Sequence, residues 1–108
     1  MTQRIDRPAS VVYEYTRHRD HLGEWASGVS ADMVIEMAEQ NDHGVLDHWV
    51  TLDGQTFYNA MRVIPLGDDA SEIVFTLRPT PGVDDEAFET DRATIAHDLV
   101  ALRDLLER

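Results

Sequence analysis

The chain has no cysteine and no lysine among its 108 residues. Without cysteine there is no disulfide framework, no thiolate nucleophile and no thiolate-based zinc site. Without lysine there is no side-chain amine for Schiff-base chemistry. Positive charge is scarce altogether: nine cations, all arginine, stand against 21 Asp and Glu, for a net charge of −12. Such a surface repels phosphate backbones and anionic bilayers, so neither nucleic acid nor membrane is expected as a partner. No apolar run approaches the roughly 20 residues that cross a bilayer. Met1 to Asp6 lack the basic-then-apolar pattern of a secretory signal, and a cytoplasmic location is expected by default. Repeats, low-complexity tracts and linkers are missing as well, which makes residues 1–108 a single domain.

Catalytic signatures are equally sparse. There is no Gly-rich phosphate loop, no G-x-S-x-G elbow and no H-E-x-x-H. Of five histidines, His18 and His21 lie three apart with Asp20 between them, and His43 precedes His48 by five. Neither spacing is that of a zinc motif, so no metal and no cofactor is expected.

What is present is an ordinary globular balance, 43% apolar and 28% charged. Pro8 opens a first helical segment in which Val12, Tyr15 and Thr16 share one face. A second short helical piece ends near Trp25. From Met33 to Leu77 the apolar period changes to two: Met33, Ile35, Met37; then Leu46, His48, Val50, Leu52; then Phe57, Asn59, Met61, Val63; then Ile73, Phe75, Leu77. Thr80-Pro81-Gly82 breaks the chain before a helix over about 84–107, with Asp84 as N-cap and an apolar stripe of Phe88, Ile95, Leu99, Leu102 and Leu106. At 1.5 Å per residue that helix is roughly 36 Å long, enough to lie across a whole sheet. Short helices, an antiparallel meander and one long C-terminal helix make an α+β fold.

The Asp53-Gly54 turn sets the pairing of the central hairpin, because a two-residue loop fixes register. Leu52 then faces Gln55, Val50 faces Phe57, and His48 faces Asn59. Trp49 faces Tyr58 on the outer side, where Val45, Val74, Arg62 and Glu72 also lie and where a solvated Arg62–Glu72 ion pair is expected. For the preceding hairpin, aligned apolar faces call for a four-residue loop, Gln40 to His43, with Met37 opposite Leu46 and Ile35 opposite His48. One inward row would read Ile35, His48, Asn59, then Phe75 or Leu77. Two hydrogen-bonding side chains thus interrupt an apolar wall. Either they satisfy each other inside a closed core, or they mark a small-molecule pocket.

The segment Asn41-Asp42-His43-Gly44-Val45-Leu46-Asp47-His48 resembles the N-x-x-G-V-L-D-H stretch of small bacterial SRPBCC proteins, described as polyketide-cyclase-like or START-like. Ile5 to Ala9, Trp25, Met61 to Val63, Ser71 to Leu77 and the run containing Phe88, Asp91, Asp98, Leu99, Leu102 and Leu106 fit the same pattern. The resemblance implies a helix-grip: an antiparallel sheet wrapped around the long C-terminal helix, with a cavity for hydrophobic ligands between them. The short stretch between Trp25 and Asn41 leaves that sheet truncated by about one or two strands.

Three functions follow as expectations. The first is a binding module for a small hydrophobic molecule, lined by Leu46, His48, Phe57, Asn59, Met61 and Phe75 against Leu99 and Leu102. The second is a cyclase- or aromatase-like enzyme in which His48 is the general acid/base and Asn59 polarises a carbonyl. The third is a homodimeric interaction domain without a ligand, built on the sheet edge or on the Trp49–Tyr58 face.

Overall fold

The structure, a computed structural model, describes residues 1–108. In chain order it contains strand β1 (Thr2–Ile5), helix α1 (Ala9–Thr16), a 3-10 helix (Arg19–Glu24), strands β2 (Val34–Met37), β3 (His48–Leu52), β4 (Gln55–Pro65) and β5 (Ser71–Thr76), and helix α2 (Asp85–Leu106). The five strands form one antiparallel sheet in the order β1-β5-β4-β3-β2. Strand β4 is shared between its neighbours. Its first half, Gln55–Asn59, pairs with β3, and its second half, Ala60–Pro65, pairs with β5.

The central hairpin has the register read from Asp53-Gly54, with His48 opposite Asn59, Val50 opposite Phe57 and Leu52 opposite Gln55. Asp53 (φ 52°) and Gly54 (φ 77°) are both left-handed, as the tight turn that matches strand twist requires. The β2–β3 register differs from expectation: Met37 pairs with His48 and Ile35 with Val50. A slide of two residues keeps every side chain on its face, so the apolar pattern is blind to it.

The cause of the slide is a structured loop in place of four turn residues. Asn41 Oδ1 accepts from the backbone N–H groups of His43 and Val45, and Asn41 Nδ2 donates to the Glu39 and Val45 carbonyls. Gly44, at φ +71°, lies so close to β4 that a Cβ there would collide with the Val63 carbonyl. The chain then rejoins β4 at Val45, opposite Arg62, before β3 begins.

Strand β1 was not legible in the alternation, since Thr-Gln-Arg-Ile holds one apolar residue. It pairs along β5, Ile5 opposite Ser71, and brings the sheet to five strands. One core cluster joins Ile5, Val12, Leu22, Trp25, Ile35, Leu46, Met61, Val63, Ile73, Phe75, Leu99 and Leu102. It lies between one face of the sheet and the two helices. Asp84 caps α2 by accepting from the Ala87 N–H at 2.8 Å. The buried residues of α2, Asp98, Leu99 and Leu102, all belong to its C-terminal half. The helix therefore grips one end of the sheet rather than spanning it, and its first turns stand in solvent. No helix is long and apolar enough to cross a membrane.

Candidate ligand-binding site

The eight residues expected to line a site separate into two groups. Leu46, Met61, Phe75, Leu99 and Leu102 are 7% exposed or less and pack into the shared core. His48, Asn59 and Phe57 form a descending series beside it: His48 is buried, Asn59 half-buried and Phe57 42% exposed. All three share the inward face of the β3–β4 hairpin, beyond the reach of the buried part of α2. The inward row runs Met37, His48, Asn59.

His48 is held in one tautomer. Its Nδ1–H donates to the Leu46 carbonyl at 3.1 Å, which leaves Nε2 as an acceptor. Asn59 Nδ2 donates to that Nε2 at 3.4 Å, a long bond. Phe75 lies against the ring, with centroids 6.3 Å apart. Burial holds the imidazole below its ordinary pKa, opposed by the Leu46 hydrogen bond and the negative charge of Asp47. A neutral ring with one committed and one weakly engaged nitrogen can accept a hydrogen bond or a proton.

Asp47 is the residue that sequence reasoning missed. Its parity places it on the outer face, where an acid reads as solvated, yet it is 6% exposed. Oδ1 accepts from the Met61 backbone N–H at 2.9 Å. Oδ2 accepts from the Tyr58 hydroxyl, which raises the phenol's pKa. The carboxylate stands in for the Leu46 carbonyl, which is thereby free to accept from His48. The available signal was Ala60 across the hairpin, whose small side chain leaves room for the carboxylate to turn back. Arg62 approaches the same Oδ2 at 3.9 Å, and Glu72 takes no part, so the expected Arg62–Glu72 pair is replaced by Arg62–Asp47.

The N-x-x-G-V-L-D-H stretch is thus largely architectural: Asn41 ties the loop, Gly44 allows close approach, and Asp47 repairs the ladder and releases the acceptor for His48. Elsewhere, Tyr15 stacks on His21 at 4.3 Å and His18 meets His21 edge to face at 5.3 Å. No three His, Asp or Glu side chains come together in a metal-holding arrangement.

No protein-family model and no curated protein sequence matches the chain. Among solved structures it is similar to the Zhui aromatase/cyclase of a Streptomyces species, with 16% identity, a TM-score of 0.55, and 100% of this chain and 92% of that chain covered. It is also similar to XoxI from Bacillus cereus, with 13% identity, a TM-score of 0.57, and 98% and 92% covered. At such identities the likeness is one of fold. The chain shares with them an α+β helix-grip architecture, the fold class expected from the sequence, here with five antiparallel strands.

Proposed function

We propose that the chain is a small-molecule binding module, taking an apolar ligand on the inward face of the β3–β4 hairpin with its polar end toward His48 and Asn59. Phe57 carries the reading. It shares the face of the buried His48 yet remains 42% exposed, because α2 covers only the other end of the sheet. Apolar and aromatic side chains with a few oriented polar groups among them are the usual composition of a small-molecule site. The ligand covers Phe57 and Val50, and the Nε2 lone pair of His48 receives a donor from it.

Thermal denaturation against a panel of aromatic and lipid-like compounds tests the reading. A ligand at 100 times its Kd adds about 2.7 kcal/mol to stability. Phe57→Ala removes that shift while leaving the unliganded protein folded. A panel that moves neither protein rejects the site.

The locked tautomer of His48 favours a second reading, as an enzyme. Once a ligand displaces the long Asn59 contact, Nε2 is placed to take a proton, and Asn59 is free to donate to a carbonyl. Proton transfer of this kind contributes about 10²–10⁴-fold to rate. On any compound the panel finds, His48→Gln then abolishes turnover while binding persists. Equal turnover in the two proteins leaves binding alone.

A further inference from the structure

Both helices pack on one face of the sheet, and the other face carries neither. One row across that bare face is ordered by charge. Glu36 pairs with Trp49 and Trp49 with Tyr58. Arg78, just beyond β5, is exposed and stands two residues past Thr76, which pairs with Ala60, so the strand alternation carries it to the same face beside Tyr58. From edge to interior the row reads acid, aromatic, aromatic, base. Trp49 and Tyr58 meet edge to face at 5.1 Å, and the Tyr58–Asp47 hydrogen bond fixes the phenol ring. Trp49 is 40% exposed, Tyr58 48% and Val34, one step along, 63%. Neither Glu36 nor Arg78 takes part in an ion pair within the chain.

Such a row is complementary to itself. A two-fold axis parallel to the strands, through the middle of the row, reverses its order. Glu36 of one copy then lies over Arg78 of the other, and Trp49 over Tyr58, each contact made twice. An axis running across the strands would instead set like charge on like. The face also avoids the repulsion that opposes contact elsewhere on a chain of −12. On this side Arg62 and Arg78 stand with Glu36, Glu72 and the buried Asp47, and Arg4 is paired with Asp6 at 3.0 Å, which leaves a net charge of only −1. A depression of about 360 Å³, lined by Val34, Glu36, Trp49, Thr51 and Thr56, opens at the acidic end of the row. It offers a guanidinium both a carboxylate and the indole face.

We propose that two copies of this chain pack outer face to outer face about that axis, each seating its Arg78 in the partner's Glu36–Trp49 depression. The sheets then stack with their strands roughly aligned. Together the two faces bury at least about 1,000 Å², the area a stable pair needs.

Sedimentation equilibrium of the full chain at micromolar concentration reads the assembly, and exposed-site charge reversal tests its geometry. Glu36→Arg and Arg78→Glu each place like charges at both contacts and raise the dimer Kd by at least about tenfold. Mixed in equal amounts, the two variants restore a dimer of near-original affinity, because each supplies what the other lacks. Trp49→Ala weakens the same dimer and replaces a charge variant that does not fold. A monomer at every concentration overturns the proposal. So does a dimer indifferent to the single reversals, or a mixture no tighter than the variants alone.

Discussion

At Asp47 a single carboxylate links the loop, the sheet and the candidate site. It accepts the buried Met61 N–H and the Tyr58 hydroxyl, and it leaves the Leu46 carbonyl to orient His48. Asp47→Ala strands a buried backbone donor, which costs about 1–3 kcal/mol. Urea denaturation should show that loss directly, with a smaller one for Tyr58→Phe, which leaves the Met61 bond in place. His48 has its own signature in pH. Burial depresses its folded pKa below the ordinary 6.5, so the unfolded chain takes up its proton first as pH falls. The stability associated with the neutral ring is therefore complete above about pH 6.5 and declines from there toward the depressed folded pKa. Unfolding free energies at pH 7.5 and 5.5 measure the slope, and His48→Gln flattens it. The pair His48–Asn59 was readable from the hairpin alone. Asp47 was not, because alternation assigns a face and says nothing of a side chain that turns back to the backbone.

Among the elements, legibility followed how tightly local chemistry constrained each one. Asp53-Gly54 admits one loop length, so β3–β4 pairing was readable to the residue. The β2–β3 connection was not, because its register rests on Asn41 side-chain bonds that no periodicity encodes. Strand β1 holds its place through pairing with β5, more than sixty residues away, with little pattern of its own. The long helix was legible in extent but not in packing. Its stripe of Phe88, Ile95, Leu99, Leu102 and Leu106 is continuous, while only the C-terminal part is buried. Hydrogen exchange should grade along α2 accordingly: amides of the first three turns exchange faster than those of Leu99 to Arg103 by at least about tenfold. Asp84→Ala, which removes the cap, should widen the gap at about 1 kcal/mol in helix stability. Uniform protection along α2 would contradict the one-ended grip.

For the whole molecule, charge is the dominant global property. Twenty-one acids against nine arginines repel one another in the compact state, and the paired surface charges sit mostly at exposed sites such as Arg92–Glu89 and Arg103–Asp104. Exposed pairs contribute little. Moving from low salt to about 0.15 M shortens the Debye length to about 8 Å. The thermal midpoint at pH 7.5 should then rise, with most of the gain reached by that point. A midpoint that falls with salt would mean that attraction outweighs repulsion.

The double pairing of β4 also sets the order in which the molecule can assemble. Strands β2 to β5 follow one another as consecutive hairpins, so each new pairing closes a short loop. Strand β1 must find partners 66 to 72 positions away, from Ile5–Ser71 to Thr2–Val74. Loop closure makes the near pairings cheap and fast and the distant one slow. β4 therefore belongs to the folding nucleus, with β3 on one half and β5 on the other, and β1 docks after the barrier. Val50→Ala should slow refolding in stopped-flow measurements, while Ile5→Ala should leave the refolding rate nearly unchanged and accelerate unfolding. The last strand to arrive is then the first to leave, and β5 loses its outer neighbour before any other part of the sheet opens.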